Sequence, residues 1–317
     1  MSYLLATCDA NRLALPDQSV DLVIGSPPYM DARTYGIGAQ RGCVEWVEWM
    51  LGVTTEALRV SRGAVVWVMA GVTRDRNYWP GCEGLAYEWF RRGGHAYRPC
   101  CWHRVGVPGS GGDQWFRADV EYAMAFKRPG KLPWTDNTAL ADPPKCAPGG
   151  AMANRLSDGR RVNKLGRPPD KARRKRQADG SREDQGYYAP VLANPGNLLS
   201  RKTGGGCLGH ELAHMNEAPY PEGVPEFFVK SLCPPAGLVL DPFGGSGTTA
   251  SVAARSGRVG LSFDLRPGQA DLARRRIEDQ LQAAARPHAP RPGKPKVARP
   301  AGQASFLDRV PGEAEAR

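Results

Sequence analysis

The sequence predicts an α/β fold, with a mixed but mostly parallel sheet and helices on both of its faces. Two short, continuously apolar runs, Val20–Gly25 and Gly63–Ala70, indicate buried strands, and Val44–Val60 between them has the period of an amphipathic helix. Such alternation is typical of strands joined by helical crossovers. A third apolar run, Leu238–Leu240, ends in a glycine-rich turn, and open α/β sheets bind ligands at the carboxyl ends of their strands.

The remaining elements follow from the same patterns. We expect strands at Val120–Lys127 and Gly260–Phe263, and helices at Pro221–Leu232, Thr248–Ser256 and Asp271–Ala285. From Pro129 to about Gly206 the apolar rhythm fades, which predicts a long, partly disordered insertion. After residue 286 the chain is rich in Pro, Lys and Arg, and we interpret it as a disordered basic tail.

Composition favours a polyanionic partner in a reducing compartment. The 317 residues carry a formal net charge of +11, and cations set against phosphates release condensed counterions; solubility alone is the other interpretation. Eight cysteines without a Cys-x-x-Cys pair argue against a zinc ribbon. Asp9 and Arg12 interrupt any secretory leader, and the apolar runs are too short for a membrane span, so the cytoplasm is expected.

The glycine-rich turn has the sequence LVLDPFGGSGTTA, from Leu238 to Ala250. Gly247 is followed by Thr248 rather than lysine, which excludes a P-loop, and the Gly-x-Gly-x-x-Gly dinucleotide pattern is missing too. Asp241 before the glycines would repel a phosphate but suits a ligand with a cationic amine. Asp264, at the end of the next strand, is placed to bind a ribose hydroxyl pair.

A second loop, Ser26-Pro27-Pro28-Tyr29, follows the strand Val20–Gly25. Two prolines fix φ and remove two donors, which leaves carbonyl oxygens, a hydroxyl and an aromatic ring. These groups can hold a planar base that carries an amino group. An ordinary proline turn is the alternative for this tetrapeptide alone.

Together the two segments resemble the amino-group DNA methyltransferases, whose catalytic loop reads Asp/Asn/Ser-Pro-Pro-Tyr/Phe and whose cofactor loop resembles Asp-Pro-Phe-x-Gly-Ser-Gly-Thr. The order here, catalytic loop first, is similar to the permuted beta class. Cys8-Asp9-Ala10, the segment 15–21 and Ala218–Pro221 are also similar to family segments. Cys8 and Ser262 depart from the family, which usually has glycine at both positions.

The resemblance implies a Rossmann-like fold in four parts. Residues 1–128 would form the catalytic half and 214–285 the cofactor half, with a basic target-recognition insertion at 129–213 and the tail at 286–317. S-adenosylmethionine would be the cofactor, without a metal, and the methyl group would pass directly to the exocyclic amine of a base flipped out of duplex DNA.

The resemblance also implies roles for single residues. Ser26 and the Pro27 carbonyl would accept hydrogen bonds from the target amine, within a loop stiffened by Pro28, while Tyr29 stacks on the base. Asp264 would bind the ribose and Asp9 the adenine of the cofactor. The rest of the cofactor site would be Asp241, Phe243, Gly245, Ser246, Gly247 and Thr248. The expected DNA contacts in the insertion are Arg160, Arg161, Lys164, Arg167, Arg173, Arg174, Lys175 and Arg176.

Several alternatives remain open at this point. Serine at position 26 resembles the cytosine-N4 group more than the adenine-N6 group, but it occurs in both. An RNA or protein substrate, or a DNA-binding subunit without catalysis, would keep the same motifs. A restriction-modification context with a cognate endonuclease is a further expectation. His210-Glu211-Leu212-Ala213-His214 matches the zinc-protease motif His-Glu-x-x-His, which we interpret as a chance match.

Overall fold

The computed structural model describes residues 2–30, 42–106, 115–141, 192–203 and 206–285, together with the backbone of four short strands between residues 152 and 185. The strands in chain order are β1 (Tyr3–Thr7), β2 (Val20–Gly25), β3 (Ser61–Met69), β4 (Val72–Arg74), β5 (Asn77–Trp79), β6 (His95–Ala96), β7 (Cys100–Val105), β8 (Val120–Lys127), β9 (Met152–Arg155), β10 (Arg161–Lys164), β11 (Arg173–Arg176), β12 (Arg182–Gln185), β13 (Leu198–Lys202), β14 (Leu238–Asp241) and β15 (Val259–Asp264). The helices are α1 (Cys43–Val60), α2 (Gly81–Arg91), α3 (Gly223–Leu232), α4 (Thr248–Arg255) and α5 (Pro267–Ala285), with a 3-10 helix at Glu211–Met215.

A nine-stranded sheet organises the molecule, in the order β1-β15-β14-β2-β3-β8-β7-β13, with β6 paired to β8. The first five of these strands are parallel to one another. Strand β8 is antiparallel to β3 and β7, while β13 is parallel to β7. The predicted mixed, mostly parallel sheet is therefore confirmed.

Helices cover both faces of this sheet, as predicted. Side chains alternate along a strand, so Val23 of β2 packs into the core beneath α1 with Trp46 and Trp67. Its neighbours Leu22 and Ile24 point to the other face and pack with α3. Strands buried on both faces read as continuous apolar runs, which is why β2 and β3 were predictable from sequence.

The middle of the chain differs from the prediction. The stretch expected to lack regular structure contains two hairpins, β9–β10 and β11–β12, and the strand β13 of the central sheet. These five segments were not predicted as strands. Strand β13 has only two apolar residues at the edge of the sheet and carries no buried run, so its sequence gives little strand signal. The predicted tail, 286–317, lies outside the described residues.

Six elements in the first half were not predicted: β1, β4, β5, α2, β6 and β7. Helix α5 begins at Pro267, four residues before the predicted start. Within the described residues, helices long and apolar enough to cross a membrane are absent.

Candidate active site

A cavity lies where the direction of the chain crossovers reverses. Strand β2 leads through α1 to β3 on one side, and β14 leads through α4 to β15 on the other, while β2 and β14 are paired. A crevice forms at the carboxyl ends of strands at such a switch point. The lining residues are Cys8, Asp9, Ala10, Asn11, Ser26, Pro28, Trp49, Asn216, Ala218, Pro219, Tyr220, Pro242, Phe243, Gly244, Gly245, Thr248, Asp264, Leu265 and Arg266.

The loop after β2 presents Ser26 and Pro28 to this cavity, while Pro27 is buried. Trp46 of α1 donates a hydrogen bond from its indole Nε1 to the carbonyl of Pro28, at 2.8 Å. This indole is itself buried. The position of the loop is therefore fixed by α1 as well as by its two prolines.

Tyr29 lies outside the residues that line the cavity and points towards β8. Its hydroxyl donates to Glu121 Oε2 at 2.6 Å, and Glu121 Oε1 accepts from Arg104 at 3.1 Å. Burial and the charge of Glu121 raise the pKa of the Tyr29 hydroxyl well above its usual value, and a hydrogen bond with Ser26 opposes the rise. Tyr29 is thus a neutral donor, held by a buried ion pair.

The glycine-rich turn is left-handed at two positions, Gly245 (φ 49°) and Gly247 (φ 78°). A side chain at position 245 would also approach Asn216 Nδ2 to 2.7 Å, and one at 247 would approach Ala273 Cβ to 2.8 Å. Glycine is required at both positions because of φ and because of close packing. The turn thereby brings backbone, rather than side chains, to the cavity.

Phe243 supplies an apolar wall of the cavity. Its ring packs edge-on against Trp49 and Trp67, with centroids 5.9 and 5.7 Å away. Two of these rings, Phe243 and Trp49, line the cavity. The arrangement offers a rigid aromatic surface beside the glycine backbone.

Ser246 lies behind the turn rather than on the cavity wall. Its hydroxyl and that of Thr248 accept hydrogen bonds from Arg276 at 3.0 and 2.7 Å. Arg276 is fully buried and also bonds the Leu208 carbonyl and Glu222. These two hydroxyls therefore tie the turn to α5, although Thr248 also reaches the cavity.

Asp241 is buried inside the turn. Its carboxylate accepts from Thr249 Oγ1 at 2.6 Å, from the backbone N–H of Phe243 at 3.0 Å and from the Tyr220 hydroxyl at 3.4 Å. Burial raises the pKa of this carboxyl to about 7, and the hydrogen bonds oppose the rise. The structure therefore directs the carboxylate into the turn, not towards a cationic ligand in the cavity.

Asp264 and Asp9 both lie on the cavity wall. Asp264 accepts from the N–H of Gly245 at 3.0 Å and from the N–H and Nε of Arg266 at 2.9 and 3.1 Å. Asp9 accepts from the backbone and side-chain nitrogens of Asn11 at 2.9 and 2.8 Å. These hydrogen bonds orient both carboxylates, and both retain acceptor capacity for hydroxyl or amino groups.

The lining residues that were not predicted as site residues include Asn11, Trp49, Asn216 and Arg266. Asn11 and Arg266 stand two residues after Asp9 and Asp264, so proximity to those residues was a usable signal. Trp49 and Asn216 reach the cavity only through the packing of α1 and of the segment before α3.

The predicted DNA contacts fall in a part of the chain of which the structure describes only backbone strands. The backbone of β10 and β11 carries Arg161, Lys164, Arg173, Arg174, Lys175 and Arg176, whose side chains are outside the described part of the structure. Arg160 and Arg167 lie outside the described residues altogether. The expected DNA contacts there remain predictions.

The His-Glu-x-x-His segment forms a 3-10 helix rather than an α-helix. The His210 ring accepts from the N–H of Leu212 and caps this short helix. Across the described residues, clusters of three or more His, Cys, Asp or Glu side chains suited to a metal are absent.

Comparison with known proteins agrees with this geometry. A family model described as DNA methylase, of the N6/N4 type, matches residues 20–275. The Type II methyltransferase M.ScaI of Streptomyces caespitosus is 24% identical over 273 residues, covering 85% of this chain and 79% of that protein.

Two solved structures share the fold. The cytosine-N4-specific PvuII DNA methyltransferase has a TM-score of 0.59 at 19% identity, over 89% of this chain and 92% of that one. A DNA modification methylase from Thermus thermophilus, complexed with S-adenosyl-L-methionine, has a TM-score of 0.54 at 22% identity, over 88% and 94%. The predicted resemblance is confirmed, and the chain belongs to the N6/N4 DNA methylase family, whose methyl donor is S-adenosylmethionine.

Proposed function

We propose that this chain methylates the exocyclic amine of a base in duplex DNA, with cytosine N4 as the favoured acceptor. The observation that carries the proposal is the shared cavity of the Ser26–Tyr29 loop and the glycine-rich turn. The two loops are in direct contact, because a Cβ at Gly25 would lie 2.5 Å from Asp241 Oδ1. A methyl donor and an amine held by these loops would be neighbours.

The cavity has groups that fit the cofactor. Asp264 offers a carboxylate for a ribose hydroxyl pair, and Asp9 offers one for the adenine amine. Phe243 and Trp49 give an apolar surface, and the Gly245 backbone leaves room for close approach. When bound, S-adenosylmethionine supplies an electrophilic methyl group on a sulfonium. The buried Asp241, Ser246 and Gly247 would act by shaping the turn.

The loop after β2 would hold the target base. An exocyclic amine is a weak nucleophile because its lone pair is delocalised into the ring. The Ser26 hydroxyl and the Pro27 carbonyl would accept its N–H groups and stabilise the positive charge that develops on nitrogen. A loop clamped by Trp46 is preorganised for this task, and fixed placement of the reacting atoms supplies much of the acceleration. Tyr29 would contribute its ring to the base.

Two observations support cytosine N4 over adenine N6. Serine at position 26 is more frequent in the cytosine-N4 group, and a structural relative is described as cytosine-N4-specific. Adenine N6 is the second candidate, since the family includes both. The basic side chains of residues 160–176 would contact phosphates, and a cognate endonuclease is the partner suggested by the Type II relative.

The test is mass spectrometry of nucleosides from the DNA of a methylation-free host that expresses the chain. We expect N4-methylcytosine, which disappears with Ser26→Ala. Tyr87→Ala is the matched control, because this exposed side chain belongs to α2 outside the cavity. Detection of N6-methyladenine would overturn only the choice of cytosine N4 as the acceptor and would leave the rest of the proposed function in place. Unmodified DNA, from protein that still binds S-adenosylmethionine, would refute the DNA substrate.

A further inference from the structure

Two adjacent aromatic side chains stand almost fully in solvent just before β8. Trp115 and Phe116 are 79% and 82% exposed, and their ring centroids lie 5.2 Å apart. Contiguous exposed apolar surface is one of the features that mark interaction sites on proteins.

The pair lies at the same edge of the sheet as the catalytic loop. Strands β2 and β3 are parallel, so both end at this edge. Strand β8 is antiparallel to β3, with Tyr122 opposite Met69 at the end of β3. The start of β8, and the residues before it, therefore lie at the same edge of the sheet as the crevice, two strands away from β2.

The same ion pair supports these aromatics and Tyr29. Arg104 donates to Glu121 at 3.1 Å and also to the carbonyl of Ala118, two residues after Phe116. Glu121 in turn accepts from the Tyr29 hydroxyl at 2.6 Å. Arg104 and Glu121 therefore connect the base-holding loop to the segment that carries the aromatic pair.

We propose that Trp115 and Phe116 insert into the base stack of duplex DNA beside the flipped nucleotide. This inference rests on the proposed function. A flipped base leaves the faces of its stacking neighbours exposed, and apolar wedges from proteins commonly enter such steps. Duplex DNA is the occupant that fits, because the target base must reach the cavity from this edge and the chain carries a net charge of +11.

The test compares methyl transfer to native and heat-denatured genomic DNA from a methylation-free bacterium. The Trp115→Ala/Phe116→Ala variant should be at least about tenfold slower than wild type on native DNA, as expected for the loss of ring stacking on bases. On denatured DNA it should stay within about threefold, because single strands need no flipping. Trp115→Leu/Phe116→Leu should recover most of the native rate, since an apolar wedge is retained.

The matched control is Tyr87→Ala/Phe90→Ala, which removes two other exposed rings, from α2, and should change neither rate. The inference would be overturned if the alanine variant lost methylation rate equally on both DNAs or on neither. It would also be overturned if the loss of rate came with a change in the oligomeric state of the protein. If the wild type methylates native DNA but not denatured DNA, the test is instead the unwinding of relaxed plasmid by the bound protein. The Trp115→Ala/Phe116→Ala variant must then unwind the plasmid less than the wild type does. If the double variant does not fold, the same comparison is made with Trp115→Ala and Phe116→Ala separately. Inactivity of wild type on all DNA would instead refute the proposed function.

Discussion

Replacement of Asp241 by asparagine should change how stability depends on pH. The carboxyl is 1% exposed and is held by Thr249 Oγ1 and the Phe243 N–H. Asparagine has nearly the same shape and keeps an acceptor for the N–H, while its amide can donate to the Thr249 hydroxyl. The substitution therefore removes a buried charge and little else.

The size of the effect follows from the pKa of this carboxyl, which burial raises from 3.8 to about 7. The folded protein binds this proton more tightly than the unfolded chain does. Its contribution to stability is complete below pH 4 and is lost as the pH rises towards 7. With about 1.4 kcal/mol for each pKa unit, the wild type should lose on the order of 4 kcal/mol across this interval, and the variant should not.

Urea unfolding of both proteins, followed by circular dichroism from pH 4 to 8.5, measures the difference directly. We expect the unfolding free energy of the Asp241→Asn variant, relative to that of the wild type, to increase steadily as the pH rises to about 7. Above that pH the difference should be constant. Asp21→Asn is the control of opposite sign. Burial raises the pKa of Asp21, but the hydrogen bonds from Arg62 and the Leu238 N–H have a larger combined effect, so the net pKa is lowered. That variant should be less stable than the wild type by a constant amount from pH 4 to 8.5, because the lowered pKa of Asp21 makes the difference change only below about pH 4. A difference for Asp241→Asn that is independent of pH would refute the reasoning.

Two further substitutions test the frame of the site. Gly25→Ala places a Cβ 2.5 Å from Asp241 Oδ1, so the Asp241 carboxylate or the end of β2 must shift. Affinity for S-adenosylmethionine measured by calorimetry should therefore fall about tenfold or more, the equivalent of about 1.4 kcal/mol. Gly52→Ala, with its nearest neighbour at 3.9 Å, should not change this affinity. Arg276→Met removes a fully buried arginine from its ion pair with the partly buried Glu222 and should cost about 3–5 kcal/mol of unfolding free energy in urea. Arg275→Met, on the exposed side of α5, should cost little. Unchanged affinity in the first case, or unchanged stability in the second, would contradict the packing described.

The sequence was most informative where a residue's surroundings are local. Strands β2, β3, β14 and β15 are buried on both faces, so their apolar runs were visible without any knowledge of neighbours. The turn at Gly245 and Gly247 was visible because positive φ and close packing both require glycine. The cavity residues Ser26, Phe243 and Asp264 followed from their positions at strand ends.

It was least informative where the surroundings come from distant segments. Asp241 was expected to face a ligand, but its partners Thr249 and Tyr220 turn it inwards, and the burial that raises its pKa is a property of the packed turn. Tyr29 forms a hydrogen bond with Glu121, which lies 92 positions away in the sequence, and a local sequence pattern cannot predict such a contact. Strand β13 was not predicted for a related reason, because it is a strand by virtue of its pairing with β7.

The sheet also explains how the order of motifs can vary while the cavity stays the same. Strand β1, at the start of the described chain, pairs in parallel with β15, near its end, and places Thr7 opposite Asp264. The Cys8 N–H then donates to the Asp264 carbonyl at 3.0 Å, so the loop with Asp9 lies beside the loop with Asp264. On the other side, β14 pairs with β2 and sets the glycine-rich turn beside Ser26. Each neighbour relation in the cavity is fixed by strand pairing rather than by chain order. A permuted order therefore changes which loops connect the strands but leaves the chemistry at their carboxyl ends in place.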